Sequence, residues 1–312
     1  MNDHLKIWAN GQLINWNDAN VHISTHALHY GSSVFEGIRA YHTPDGPAVL
    51  GLQQHTRRLF QSAKIFRMKM PYTEEAINEA ILETIAANNL PAAYIRPLAF
   101  RGAGPLGVYA KQNPIDVYIM TLEWGRYLGE EALEQGVDVQ ISSWRRMAPN
   151  THPAMGKIGG NYVNSQLVVM EAKRQGYTEG IALDVNGHVS EGSGENIFVI
   201  YDGIVYTPAL TNSILSGITR SFVMQLIGDH GYPIKEQPIP REFLYLADEV
   251  FFTGTAAEIT PIRTIDGLTI GAGKRGPITE ALQEDFFNIV EGRTADRHGW
   301  LTLVPQPVAV PA

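Results

Sequence analysis

Tight-turn signals recur along this chain without the regular alternation of strand, helix and strand that a wound parallel sheet needs, and that pattern limits its fold more than any other feature. Asn10-Gly11 stands between Ile7-Trp8-Ala9 and Gln12-Leu13-Ile14, and further turn dipeptides occur at Asn186-Gly187 and Asp202-Gly203. Such pairs reach the left-handed φ values of a two-residue hairpin at little steric cost. Helical spacing is mixed in among them. Thr73-Glu74-Glu75-Ala76 caps a helix running to about Asn88, with Ile77, Ala80, Ile81, Thr84 and Ile85 on one face and Pro91 beyond its end. A shorter helix is expected around Arg57 to Ile65, and others over Asn161–Gln175, Gly217–Gly228 and Pro277–Glu291.

Two strand-like segments, 93–100 and 115–122, flank the glycine-rich stretch Gly102-Ala103-Gly104-Pro105-Leu106-Gly107, whose backbone can approach a ligand closely. This mixture favours an α+β layout over a doubly wound sheet. At 312 residues the chain suits two modest domains. The expected division is a small N-terminal domain over 1–122, an interdomain loop over 123–134 and a larger C-terminal domain over 135–312. The tail Val304-Pro305-Gln306-Pro307-Val308 is expected to fray.

Several function classes fall away on composition. A net charge of −8 without any block of Lys and Arg argues against nucleic-acid binding. No apolar run approaches the roughly 20 residues of a membrane span, and the first residues carry neither the basic nor the apolar part of a secretion signal. Zero cysteines exclude disulfides, thiolate metal sites and cysteine nucleophiles, and suit a reducing cytoplasm. No GxxxxGK[ST] or HExxH motif occurs, and the G-x-G pieces lack the strand–turn–helix setting of a dinucleotide site. No metal site is expected. His26 and His29 could meet a common ligand on a helix, but one of them as a structural hydrogen-bonder in a polar loop is the plainer reading.

Four segments could carry chemistry. In Met155-Gly156-Lys157-Ile158-Gly159-Gly160 a lysine sits among small and apolar residues before a helix. A desolvated lysine loses proton affinity and becomes a nucleophile able to form an imine. In Glu191-Gly192-Ser193-Gly194-Glu195-Asn196 either glutamate could stabilise a protonated ring nitrogen. Ser213-Ile214-Leu215-Ser216-Gly217-Ile218-Thr219-Arg220 opens a helix, whose free amides can hold a phosphate. Thr253-Gly254-Thr255-Ala256-Ala257 repeats the small-residue and hydroxyl chemistry after an apolar strand. Singly, each has an ordinary explanation: a solvated lysine, an acidic turn, a helix cap, a strand end.

Together, Lys157, the 191–196 segment, the 215–220 segment and the 254–258 segment resemble in order and spacing the class IV (fold type IV) pyridoxal-phosphate aminotransferases. The similarity runs from about Ile7 to Trp300. The stretch 26–41, His-Ala-Leu-His-Tyr-Gly-Ser-Ser-Val-Phe-Glu-Gly-Ile-Arg-Ala-Tyr, is similar to the bacterial branched-chain members in particular. The resemblance implies that Lys157 holds pyridoxal 5′-phosphate covalently and moves the reacting proton, and that Tyr162 bonds the ring oxygen. It implies that Glu191 faces the ring nitrogen, and that Arg58, Leu215, Gly217, Ile218, Thr219 and Thr255 surround the phosphate end.

The resemblance also implies a substrate pocket of Tyr30, Phe35, Tyr94, Arg96, Leu106, Val108, Trp124, Tyr127, Thr255 and Ala256. Its apolar walls suit leucine, isoleucine and valine, and Arg96 suits the second carboxylate of glutamate or 2-oxoglutarate. Leu106 departs from the methionine common in relatives, which could shift side-chain preference. A homodimer is implied, with the loop near Gly107-Val108 completing the partner's site. Related D-amino-acid transaminases and aminodeoxychorismate lyases are the alternative; they place different carboxylate-binding residues where this chain has Tyr94, Arg96 and Leu106-Gly107-Val108.

Overall fold

The computed structural model describes residues 2–123 and 131–305. Two compact units form, and the first is not continuous in sequence: residues 156–160 and 288–305 group with 2–123, while 131–155 and 161–287 form the second. The stretch carrying Lys157 therefore packs with the N-terminal residues.

The first unit opens with β1 (Lys6–Ala9) and β2 (Gln12–Asn15), joined by Asn10 and Gly11 at φ 48° and 101°, both in the left-handed region that this turn needs. Then come α1 (His26–Tyr30), β3 (Ser33–Phe35), β4 (Ile38–Thr43), β5 (Gly46–Leu50), α2 (Leu52–Ile65), α3 (Glu74–Asn88), β6 (Ala93–Arg101) and β7 (Ile115–Leu122). Helix α2 begins at Leu52, ahead of the Arg57 expected from spacing, because Gly51 turns the chain into it at φ 65°. Helix α3 follows its spacing closely. The Thr73 hydroxyl accepts from the Ala76 amide at 3.2 Å, and Ile77, Ala80, Ile81, Thr84 and Ile85 are the buried positions. Their apolar members join Trp8, Ile95, Val117 and Ile119 of the sheet in one core.

In the second unit α4 (Ala132–Gln135), β8 (Val137–Arg145), α5 (Tyr162–Arg174), β9 (Glu179–Leu183), β10 (Val189–Gly192), β11 (Asn196–Tyr201), β12 (Ile204–Thr207), α6 (Ile218–Asp229), β13 (Ile234–Glu236), β14 (Glu249–Gly254), β15 (Glu258–Ile265), β16 (Leu268–Thr269) and α7 (Pro277–Val290) follow in order. The sheet runs β10-β9-β8-β15-β14-β11-β12-β13, with β16 beside β15. It is mixed: β8 is parallel to β9 and β15, while β11, β14 and β15 pair antiparallel. The turn at Asn186-Gly187 is fixed by Asp184, whose carboxylate accepts from the Asn186 and His188 amides at 2.8 and 3.0 Å. Helix α7 takes its cap from elsewhere in the chain: the buried Glu249 carboxylate on β14 accepts from the Ile278 and Thr279 amides at 3.0 and 2.8 Å. A Cβ at Gly276 would lie 2.2 Å from that carboxyl carbon, so only glycine lets it through.

Strand β17 (Leu301–Leu303) completes the first unit, whose sheet order is β17-β5-β4-β6-β7-β1-β2 with β3 on β6. The tail does not fray where expected. Val304 is buried and its amide donates to the Pro47 carbonyl at 2.8 Å, while the expectation for residues 306–308 lies outside the described residues.

The first unit also buries a charged cluster. Glu36 is fully buried; its carboxylate accepts from Arg58 Nε and Nη2 at 2.7 and 2.8 Å and from His55 Nδ1 at 2.7 Å. Burial opposes its ionisation, but Arg58 and His55 outweigh burial and hold it from the ordinary 4.5 down to about 2. Burial pushes the His55 imidazole down from 6.5, so it stands as the neutral donor to an ionised acceptor.

Two outcomes follow from this packing. Ile81→Ala, which empties a fully buried site, should lower unfolding free energy by about 2–5 kcal/mol, measured by urea denaturation; a change below about 1 kcal/mol would contradict the core assignment. Because the folded value of Glu36 is depressed, its contribution to stability is complete above pH 4.5 and is lost as pH falls from there towards about 2. Urea midpoints across that acid range should fall more steeply for the wild type than for Glu36→Gln.

Candidate active site

Lys157 is held by backbone bonds to the first unit. Ile158 bridges Val34, the Phe35 amide donates to the Lys157 carbonyl at 3.1 Å, and the Lys157 amide donates to Ser62 Oγ at 2.9 Å. The flanking glycines permit this approach. A Cβ at Gly159 would lie 2.2 Å from Ser33 Oγ, and one at Gly31, itself at φ 61°, would lie 2.9 Å from the Gly160 Cα. The lysine side chain is half-buried rather than fully desolvated as its neighbours in sequence suggest. Its Nζ lies 4.8 Å from the centroid of the Phe35 ring.

That ring has a second cation beside it. Arg96 Cζ lies 4.7 Å from the Phe35 centroid, and Arg96 Nη2 donates to the Tyr94 hydroxyl at 2.7 Å. Arg96 Nε is buried with no hydrogen-bond partner among the described residues. Tyr30 reaches the glycine-rich loop, donating its hydroxyl to the Leu106 carbonyl at 2.7 Å. His26 Nε2 meets the Gly107 carbonyl at 3.0 Å while its Nδ1 meets Ser32 Oγ at 2.7 Å. His29 Nε2 meets the Ile23 carbonyl at 2.8 Å, and both histidines lie on the short helix α1 rather than in a loop. Val108 and Tyr109 at the loop tip are 85% and 80% exposed.

The second unit brings together another set. Glu191 on β10 is buried, and its Oε1 accepts from Arg146 Nη2 at 2.6 Å. Its Oε2 accepts from Asn196 Nδ2 at 3.1 Å and from the Leu215 amide at 3.0 Å. Glu195, the other glutamate of the motif, folds back to the Gly194 amide. Asn196 also donates to the Leu215 carbonyl at 3.0 Å, and Ser190 Oγ donates to the Asn212 carbonyl at 2.6 Å. Side chains of β10 and β11 thus hold the 212–217 loop that feeds α6. At its end Gly217 offers no side-chain cap to the first-turn amides of α6, which by helix geometry have no partner within the helix. A Cβ there would lie 1.9 Å from Asn196 Oδ1. Opposite Asn196 in the β11–β14 register stands Thr253, whose hydroxyl is buried without a partner among the described residues.

Of the residues named from sequence, Tyr30, Phe35, Arg58, Tyr94, Arg96, Leu106, Val108 and Lys157 lie in the first unit. Tyr162, Glu191, Leu215, Gly217, Ile218, Thr219, Thr255 and Ala256 lie in the second. Trp124 and Tyr127 lie outside the described residues. Arg146, Asn196, Glu36 and His55 were not given roles by sequence reasoning. Asn196 and Glu36 stood inside quoted motifs, whereas Trp144-Arg145-Arg146 carries no local signal to separate the buried arginine from its exposed neighbour. Among the described residues no group of three or more His, Asp or Glu could hold a metal, and no helix is long and apolar enough to cross a membrane.

Residues 33–265 match the family described as Amino-transferase class IV. The chain is 52% identical over 305 residues to a branched-chain-amino-acid aminotransferase of Escherichia coli strain K12, covering 96% of this chain and 97% of that protein. It is 50% identical over 298 residues to the Pseudomonas aeruginosa protein of the same name, covering 96% and 97%. A crystal structure of the Escherichia coli enzyme superposes with a TM-score of 0.95 at 51% identity, covering 96% of this chain and 99% of that one. The branched-chain amino acid aminotransferase of Thermobaculum terrenum, solved in its PLP-bound holo-form, superposes with a TM-score of 0.91 at 34% identity, covering 98% and 100%. With a family match spanning most of its length and its α+β fold shared with solved members, this chain belongs to the class IV aminotransferases.

Proposed function

We propose that this chain transfers the amino group of leucine, isoleucine and valine to 2-oxoglutarate, with pyridoxal 5′-phosphate as cofactor, giving branched 2-oxo acids and L-glutamate. The observation that carries this reading is the Phe35 ring, with the Lys157 amine 4.8 Å and the Arg96 guanidinium 4.7 Å from its centroid. One apolar surface thus adjoins both a nucleophilic amine and a cation. Identity of 50–52% to enzymes named for branched-chain amino acids supports the same substrate class.

The residues present fit the cofactor. Lys157 supplies the amine for its carbonyl carbon, and Glu191 a buried carboxylate for its ring nitrogen. Its phosphate suits the uncapped amides of Ile218 and Thr219 following Leu215 and Gly217, with the Thr219 and Thr255 hydroxyls. Arg58 adds a cation whose fork is held in one orientation by Glu36. The orphaned Thr253 hydroxyl beside Asn196 adds a polar group in want of a partner. Tyr162, the first residue of α5, is assigned the ring oxygen.

With its ring nitrogen protonated, bound pyridoxal phosphate would supply an electron sink for the pair left at the substrate Cα. The Lys157 amine, displaced by the incoming amino acid, is the base that removes the Cα proton and later returns one. Amides around Thr255 and Ala256 receive the α-carboxylate. The apolar wall is assigned to Tyr30, Phe35 and Tyr94, with Leu106 and Val108, and there each buried methylene contributes about 0.8 kcal/mol; Trp124 and Tyr127, given to it by the resemblance, lie outside the described residues. Arg96, steadied by Tyr94, pairs the second carboxylate of glutamate and 2-oxoglutarate. A homodimer is part of this reading, supported by the exposed Val108 and Tyr109 at the loop tip. A cytoplasmic location is supported by the lack of cysteine.

Lys157→Ala should remain folded by circular dichroism, lose the visible absorbance of bound cofactor and lose transamination; normal turnover would end the proposal. Arg96→Met should raise KM for 2-oxoglutarate by about 10- to 100-fold, the loss of one charge-assisted bond of about 1.5–3 kcal/mol. Its KM for leucine should change much less. Equal changes for both substrates, measured in paired steady-state assays, would remove Arg96 from that role.

A further inference from the structure

Arg146 stands outside every motif that carries the family likeness, yet it is the cation paired with Glu191. Nη2 and Oε1 are 2.6 Å apart, with the two side chains 7% and 5% exposed. The guanidinium is held from a third direction: Nη1 donates to Asn164 Oδ1 at 2.9 Å and lies 3.3 Å from Ser165 Oγ, both on α5. The arginine itself follows β8, its amide bonded to the Leu183 carbonyl at 2.9 Å. A helix and two strands therefore fix one charged contact.

A buried carboxylate without a counter-charge gains by taking up a proton; one that accepts a charge-assisted bond stays ionised. The difference matters because an ionised carboxylate only accepts hydrogen bonds, while a protonated one also donates. A ring nitrogen facing an acceptor carries the shared proton, and a ring nitrogen facing a donor does not. We infer that Arg146 is a positioning residue that keeps Glu191 ionised and aimed, so that the proton shared with the cofactor's ring nitrogen rests on the ring. This rests on the assignment of Glu191 to that nitrogen. The positive charge of Arg146 would oppose a protonated ring, but with Glu191 facing the ring nitrogen the carboxylate would be the nearer charge, and Coulomb energy falls with distance. A merely structural role, tying α5 to β8, would leave the proton where it is.

The test loads the holoenzyme with pyridoxal 5′-phosphate carrying an isotopically labelled ring nitrogen and records that nitrogen's chemical shift near neutral pH. Wild type and Arg146→Lys should show a protonated ring, while Arg146→Met and Glu191→Gln should show an unprotonated one. In the last two, kcat should fall by about tenfold or more with a smaller change in KM. A protonated ring in Arg146→Met overturns the inference while leaving Glu191 in place. A protonated ring in Glu191→Gln overturns the assignment beneath it. Should Arg146→Met fail to fold, Arg146→Gln retains a hydrogen-bond donor without the charge: an unprotonated ring there supports the inference and a protonated ring overturns it.

Discussion

The position of the Lys157 amine depends on how closely two stretches of backbone approach, one from the start of the chain and one from its middle. Gly31, Gly159 and Gly160 leave no side chain in the gap, and a bond from the Phe35 amide to the Lys157 carbonyl and one from the Lys157 amide to the Ser62 hydroxyl close it. A side chain at Gly159 would drive the Ser33 hydroxyl, on the strand that carries Phe35, out of its place. The apolar ring beside the amine and the backbone that holds the amine are thus adjacent residues of one short element. Neither can move without the other, which keeps a flexible side chain near one face of the pocket.

Each unit contains a buried carboxylate, and each solves its burial with an arginine. Glu36 takes a two-pronged bond from Arg58 with His55 alongside, while Glu191 takes Arg146 with an amide and an asparagine. Burial disfavours the charged form of any carboxylate. Pairing offsets the cost of burial but makes each pair costly to break, because removing one partner strands the other. The two pairs are built differently: Glu36 takes two prongs of one guanidinium, while Glu191 divides its oxygens between an arginine on one side and an asparagine and an amide on the other.

Local features were legible in the sequence and distant pairings were not. Helix α3 could be read to within a residue because its cap, its apolar face and its end lie within one short window. Asn10-Gly11 announced its hairpin for the same reason. The motifs around Lys157 and Glu191 were legible through family likeness, since each is a continuous run. Arg146 was not: what distinguishes it from Arg145 is a carboxylate 45 positions away. Strands β4 and β5 lacked a clear alternation because both are largely buried, and the place of β15 between β8 and β14 is a matter of register that spacing does not encode. Lys157 itself looked more desolvated than it is, since apolar neighbours in sequence need not be neighbours in space.

The remote cap of α7 has a consequence for assembly of the chain. Helix α3 takes its first acceptor from the residue beside it, but α7 borrows its own from a strand 29 positions earlier. Its opening turn is complete only once β14 has taken its place between β11 and β15. The start of α7 and the placing of β14 are therefore one event in the energetics of the fold, since a single carboxylate belongs to both.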